Sequence, residues 1–359
     1  MSPLLFATPL PQSKSSDVLE FTFPKPYHQW VLTGKSRAAW HTSFVIPQLN
    51  LLLDAGLIAT RHRPKHIFLT HGHSDHTLLS PAFVDREDPP DVFCPVEMKE
   101  VLDQYILAKT LLNLGGLVTV EDAGREDFEP VGEDEVKDIV DGDNAAEERR
   151  AREDSPDRSA PDWRHKPKSG QVHSDNRFLH THDTHGLRPG DVVPLDRIKA
   201  SDMSAEAFAC DHSIPCLGYV FRTTRQKLKA ELRTTSQNDI KGLRESGASI
   251  TAPQTKPVFA FLGDTTTSVL ASEPSWLREG IPVVITECSF LWEEHRAQAE
   301  RTKHTLWSEL EPVIRKFPKT TFVLVHFSLR YEEHDVRDFF KKLLDPPKNI
   351  VVWIGDDQD

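Results

Sequence analysis

Short apolar runs recur along the chain, each about the length of a strand and separated by helix-like stretches. They are FVIPQLNLLLDAG from Phe44, HIFLTHGHSDH from His66, AFACDHSIPCLGYVF from Ala207, VFAFLGDT from Val258, PVVITECSF from Pro282, TFVLVHFSLRY from Thr321 and NIVVWIGDD from Asn349. Between and after them, apolar residues fall at helical spacing over 95–114, roughly 292–301, 305–317 and 335–344. Strands buried on both faces, alternating with helices that cover them, define an α/β fold. No run is long enough to span a bilayer. A hydrophobic fraction of 38% and a mean hydropathy of −0.45 suit a soluble chain with a sizeable core.

Several of these runs end in a side chain that can bind a metal. FLTHGHSDHTLLS, residues 68–80, places His71, His73, Asp75 and His76 directly after an apolar run. Later runs end in His212, Asp264 and His326. Catalytic side chains gather where strand ends meet loops on a rigid scaffold. If these ends share one rim, His71, His73, His212 and Asp264 can surround one ion. Asp75, His76, Asp264 and His326 can surround a second, with Asp264 bridging. Imidazole and carboxylate ligands at open sites suit Zn²⁺, with Mn²⁺ or Fe²⁺ as substitutes. Taken singly, each residue has a duller reading as a polar turn or a core histidine; their order along the chain favours ligands.

The H-x-H-x-D-H signature, followed by lone His, Asp and His after later strands, resembles the metallo-β-lactamase superfamily over nearly the whole chain. That resemblance implies a four-layer αβ/βα sandwich with two metals at one edge, and LLLDAG with Asp54 matches the family's early structural Asp. Within the superfamily, DHSIPCLGYVF, FLGDT, ITECSF with KHT, and VHFSLRY resemble the motifs of tRNase Z (ribonuclease Z), the endonuclease that removes tRNA 3′ trailers. The resemblance implies two Zn²⁺ ions, Asp75 as base and ligand, His304 as proton donor and Glu287 as the group that orients His304. It also has departures. The stretch from 222 to 257 keeps a basic helical piece but lacks the family's Gly-Pro-rich tip. TGKSRAAWHTSFVIPQLN differs from the usual N-terminal glycine loop, and KHT replaces His-Ser-Thr.

Charge identifies the chemistry that such a site suits. A phosphodiester is anionic, its water nucleophile is poor at neutral pH, and its alkoxide leaving group needs a proton. A thioester or lactone releases a group that needs less help, so a retained donor at His304 leans towards phosphodiesters. The expected function is therefore a dinuclear zinc phosphodiesterase or endoribonuclease acting on RNA, pre-tRNA above all, or on a small phosphodiester. The alternatives are a thioester or lactone hydrolase of the same fold, and a non-catalytic scaffold. His304 has its own plain reading, as the residue before a helix capped by Thr305.

The chain carries a net charge of −12, which at first argues against a nucleic-acid partner. Sixteen Asp or Glu and six Lys or Arg lie within 121–160, so the acidity is local. From 121 to 177 there is no apolar periodicity. We expect one domain over 1–359 interrupted there by an acidic, largely disordered insertion suited to a protein partner, with order resuming near LRPGDVVPL. HTHDTH, with His180, His182, Asp183 and His185, has ligand-like composition at that edge but no buried strand before it; at most it is a weak metal tract. Cys94, Cys210, Cys216 and Cys288 show no C-x-x-C spacing and read as reduced, mostly buried thiols. The N-terminal segment is a poor secretory signal. The expectation is a cytoplasmic or nuclear protein with no membrane partner; a homodimer is compatible with it.

Overall fold

The computed structural model describes residues 5–9, 18–84, 88–113, 182–198 and 202–355. Two eight-stranded mixed sheets face each other. The first runs in the order β2 (Thr8–Pro9), β3 (Leu19–Thr22), β4 (Val31–Arg37), β5 (His41–Ile46), β6 (Leu51–Leu53), β7 (His66–Phe68), β8 (Asp91–Pro95) and β9 (Asp183–Leu187). The second runs β1 (Leu5–Phe6), β16 (Ile350–Val352), β15 (Thr321–Val325), β14 (Val283–Glu287), β13 (Thr251–Phe261), β12 (Cys216–Leu228), β11 (Met203–Cys210) and β10 (Val192–Pro194).

The alternation of side chains along each strand builds the layers. Phe44, Leu51, Leu53, Phe68 and Phe93 of one sheet pack on Tyr219, Phe221, Phe259, Phe261 and Val283 of the other, forming a core between the sheets. Their sequence neighbours point the opposite way. Val220, Ala260, Val284, Phe322 and Leu324 meet Trp307, Leu310 and Ile314 of one helix (Trp307–Lys316) and Val336 and Phe340 of another (Glu333–Lys341). Leu52, Ile67, Val92 and Cys94 meet Phe83 and Val84 of a short helix (Ser80–Val84) and Leu102 and Ile106 of a longer one (Lys99–Asn113). Apolar runs without alternation thus mean strands covered on both faces, in a helix–sheet–sheet–helix sandwich as expected. Each buried leucine or phenylalanine contributes about 1.5–3 kcal/mol of transfer free energy.

Some local readings shift. Pro95 ends β8 rather than opening a helix, which begins at Lys99 after a turn of 3₁₀ helix. Thr305 does not cap the helix that follows; its hydroxyl donates to the Thr265 carbonyl, 2.8 Å away. β9 begins at Asp183, ahead of LRPGDVVPL, and takes up Asp183 and His185 of the HTHDTH tract. The charged run 225–245 is strand as far as Leu228, and helix only over Gln237–Glu245. The proposed insertion at 121–177 and His180 lie outside the described residues. All four cysteines are free, three of them buried. Among the described residues, no helix is long and apolar enough to cross a membrane.

Candidate metal centre

Both sheets deliver their strand ends to one edge, and specific contacts hold the two edges together. The Thr70 carbonyl, just past β7, accepts from Leu217 N at 2.9 Å, and the Leu69 carbonyl accepts from the Tyr219 hydroxyl at 2.7 Å. Gly263, just past β13, approaches Thr70 so closely that a Cβ would lie 2.5 Å from that of Thr70; its φ of +58° also suits glycine. This close approach sets Asp264 beside His71.

The expected ligands assemble there. Candidate ligand atoms of His71, His73, His212 and Asp264 all lie within 4.8 Å of one another, as do those of Asp75, His76 and His326. Asp264 stands between the groups. Its Oδ2 is 3.7 Å from His71 Nε2, while its Oδ1 is 3.4 Å from both His76 Nε2 and His326 Nε2. Oδ1 is buried and makes no hydrogen bond. A buried carboxylate oxygen without a donor is costly, and a cation satisfies it.

The outer imidazole nitrogens show which lone pairs face inward. His76 Nδ1 donates to Asp54 Oδ2 at 2.7 Å, and His212 Nδ1 to the Lys303 carbonyl at 3.2 Å. His326 Nδ1 lies 3.1 Å from Ser289 Oγ, which itself donates to Glu287. With the outer nitrogens engaged, His76 Nε2 and His326 Nε2 present lone pairs to each other at 3.3 Å. Facing lone pairs repel unless a proton or a metal lies between them. Backing partners of this kind fix metal-binding histidines in other proteins. Here, burial alone would lower the His76 imidazole, but the charges of Asp264 and Asp54 lift it well above its ordinary value. Burial keeps His71 well below its own, and the neighbouring His76 adds to that. The donor set therefore fits divalent-cation binding.

Asp75 sits at the mouth. Its Oδ2 accepts from Ala39 N at 2.8 Å and lies 3.3 Å from His326 Nε2. Burial would raise this carboxyl, but hydrogen bonds and charge from His326 and His76 hold it well below the usual range. Ala39, Asp54 and His326 all have left-handed backbones, with φ of 59°, 56° and 62°. Such conformations in non-glycine residues cost of order 1–3 kcal/mol each and tend to cluster at working sites.

Glu287 and His304 form a separate pair. The buried Glu287 accepts from Thr265 N at 2.7 Å and Thr305 N at 3.1 Å, and its Oε1 takes His304 Nδ1 at 2.9 Å. His304 Nδ1 is 4.0 Å from Asp264 Oδ2, but Glu287 Oε1 engages it more closely, at 2.9 Å. Burial lowers the His304 imidazole, yet the Glu287 charge and hydrogen bond outweigh it and raise the group to about 9.

No family model matches the sequence. The chain is 23% identical over 322 residues to the chloroplastic tRNase Z TRZ2 of Arabidopsis thaliana, covering 88% of this chain and 72% of that one. It is 33% identical over 151 residues to the tRNase Z TRZ1 of the same plant, covering 42% of this chain and 54% of that one. The chain thus resembles tRNase Z proteins, over most of its length in the first case and less than half in the second. In overall shape it superposes on the short form of human tRNase Z with a TM-score of 0.45 at 14% identity, covering 89% and 95% of the two chains.

In this tRNase Z-like chain, every site residue expected from the sequence arrives at the one edge. The sequence reading missed the residues that hold them. Ser289, two positions after Glu287, carries no motif of its own. The amides of Ala39, Thr265 and Thr305 act through backbone alone, which leaves no trace in residue identity.

Proposed function

We propose that the chain is a metal-dependent phosphodiesterase that cleaves RNA, with the 3′ trailer of pre-tRNA as its substrate and two Zn²⁺ ions as its cofactors. The observation that carries this reading is the Glu287–His304 pair at the lip of two ligand groups that share Asp264. The names of the two Arabidopsis relatives support the RNA substrate. In this scheme His71, His73, His212 and Asp264 hold one ion, and Asp75, His76, Asp264 and His326 the other. When bound, the ions would neutralise phosphoryl oxygens and acidify an attacking water. Asp75, kept ionised by its imidazole neighbours, accepts a hydrogen from that water and holds it in line. His304 donates its Nε2 proton to the leaving 3′ oxygen, while Glu287 fixes the ring through Nδ1 and favours the charged form. A thiolate would leave without such a donor.

The arm formed by β12, β13 and the helix Gln237–Glu245 fits this substrate. It carries eight Lys or Arg against three Asp or Glu between 222 and 257, and no residue from Arg222 to Ser249 is buried. The deciding assay supplies Zn²⁺ or Mn²⁺ to purified protein and offers pre-tRNA, bis(p-nitrophenyl) phosphate and a thioester. Chelator-sensitive cleavage of pre-tRNA at its 3′ end is expected. Thioester turnover with both phosphodiesters untouched would overturn the reading.

A further inference from the structure

A second group of ligand-type side chains lies at the opposite end of β7. His66 opens that strand, whereas His71 follows its far end, so five residues of extended chain, roughly 16 Å, separate the two places. His66 is fully buried, and neither ring nitrogen has a hydrogen-bond partner. An imidazole with both nitrogens buried and unpaired is costly, by about 1–3 kcal/mol for each unsatisfied group. Two carboxylates stand beside it. Asp91 opens β8, the neighbouring parallel strand, and is paired in register with His66. Asp196 follows β10, with its Oδ1 3.8 Å from His66 Nε2.

Candidate ligand atoms of His66, Asp91 and Asp196 all lie within 4.8 Å of one another, the same bound that the catalytic groups meet. His185 of β9 stands next to them, its Nε2 4.0 Å from Asp91 Oδ1, and the Phe93 ring stacks between the two imidazoles at 6.3 and 5.0 Å. One cation is already present: Arg197 Nη1 is 3.5 Å from Asp91 Oδ2, and its guanidinium also bonds to Asp88 and the Pro89 carbonyl. Two carboxylates against one guanidinium still leave net negative charge beside the imidazole. Burial keeps His66 below its ordinary value, which favours the neutral ring that a metal binds.

We propose that His66, Asp91 and Asp196 form a third divalent-cation site, remote from the catalytic edge. One imidazole with two carboxylates suits Zn²⁺ or Mn²⁺. The site ties the loop after β10, which belongs to one sheet, to the starts of two strands in the other. It acts as a structural clip, and His185 of the HTHDTH tract stands beside it through Asp91. Within that tract His182 goes elsewhere, bonding to Asp103 on the helix Lys99–Asn113 at 3.1 Å.

The test reads metal rather than turnover. Chelator-stripped full-length protein is titrated with Zn²⁺ against a chromophoric chelator. One more binding equivalent is expected in the wild type than in Asp196→Asn or Asp91→Asn; the Asp196 side chain is 76% exposed, so that variant should fold normally. In an Asp264→Ala/His73→Ala/His326→Ala background, which leaves each catalytic group only two ligands, Zn²⁺ should still raise the Tm by several degrees, and adding His66→Gln should abolish the rise. Equal stoichiometry in all three proteins, or a Tm rise that survives His66→Gln, would overturn the proposal.

Discussion

His304 is where the residues of the centre divide by role. As a general acid it should contribute roughly 10²- to 10⁴-fold to a reaction with an alkoxide leaving group and far less when p-nitrophenolate leaves. His304→Ala should therefore slow RNA cleavage by that range, leave bis(p-nitrophenyl) phosphate hydrolysis within a few-fold, and keep the metal content unchanged by elemental analysis. Asp75→Ala should abolish both activities and lower the metal content. Equal losses for His304→Ala on both substrates would remove its assignment as acid, and Glu287's with it. The same imidazole affects stability. Its value in the folded, metal-free protein is raised to about 9, above the ordinary 6.5. Its contribution is therefore fully present below pH 6.5 and is lost as pH rises through 9, amounting to about 3 kcal/mol. Chelated wild type should lose more Tm between pH 6 and pH 9.5 than chelated His304→Ala, as read by calorimetry. Parallel profiles would show that the pair with Glu287 contributes nothing.

Among the elements, the arm depends least on the rest of the fold. β12 and β13 pair beyond the sheet as far as Leu228 and Thr251, and Lys229 N still reaches the Ile250 carbonyl at 3.0 Å. Its exposed, basic surface gains little from packing, so its residues are free to meet phosphates. Replacing 230–249 with a two-residue Asn-Gly turn should leave bis(p-nitrophenyl) phosphate turnover within about twofold. It should also raise the KM for pre-tRNA roughly tenfold or more and flatten its salt dependence. An unchanged KM would mean that RNA is gripped elsewhere. From residue pattern alone the arm shows only its basic helical piece, because charge hides the strands. In exposed β-structure with polar residues on both faces, the period-two signal disappears.

For the molecule as a whole, we propose one domain with the acidic stretch at 121–177 as an appendage. Described chain on either side of it, the helix ending at Asn113 and the strand starting at Asp183, already packs against the first sheet. Excising 121–177 should leave the melting temperature within a few degrees and small-substrate turnover nearly intact. An excised protein that aggregates, or that elutes without metal, would show that the stretch supports the core.

The sequence by itself determined the α/β class and named the candidate ligands, because both are written in residue type and spacing. Unbroken apolar runs require strands covered on both faces, and H-x-H-x-D-H places four donors in one short loop whatever the fold around it. The order of His212, Asp264 and His326 along the chain could name the remaining ligands but not bring them together. Only the tertiary structure decided that they meet, through the close approach of Gly263 to Thr70 and the bond from Leu217 N to the Thr70 carbonyl. It also decided which imidazole nitrogens face into the centre, since that depends on Asp54, Ser289 and the Lys303 carbonyl behind the rings. The same holds for His66. Its identity could not show that Asp91 and Asp196, 25 and 130 residues away, would stand beside it without giving it a hydrogen bond. Hydrogen bonds between backbone and side chain, and contacts between the two sheets, depend on distances in space that no local pattern of residues encodes.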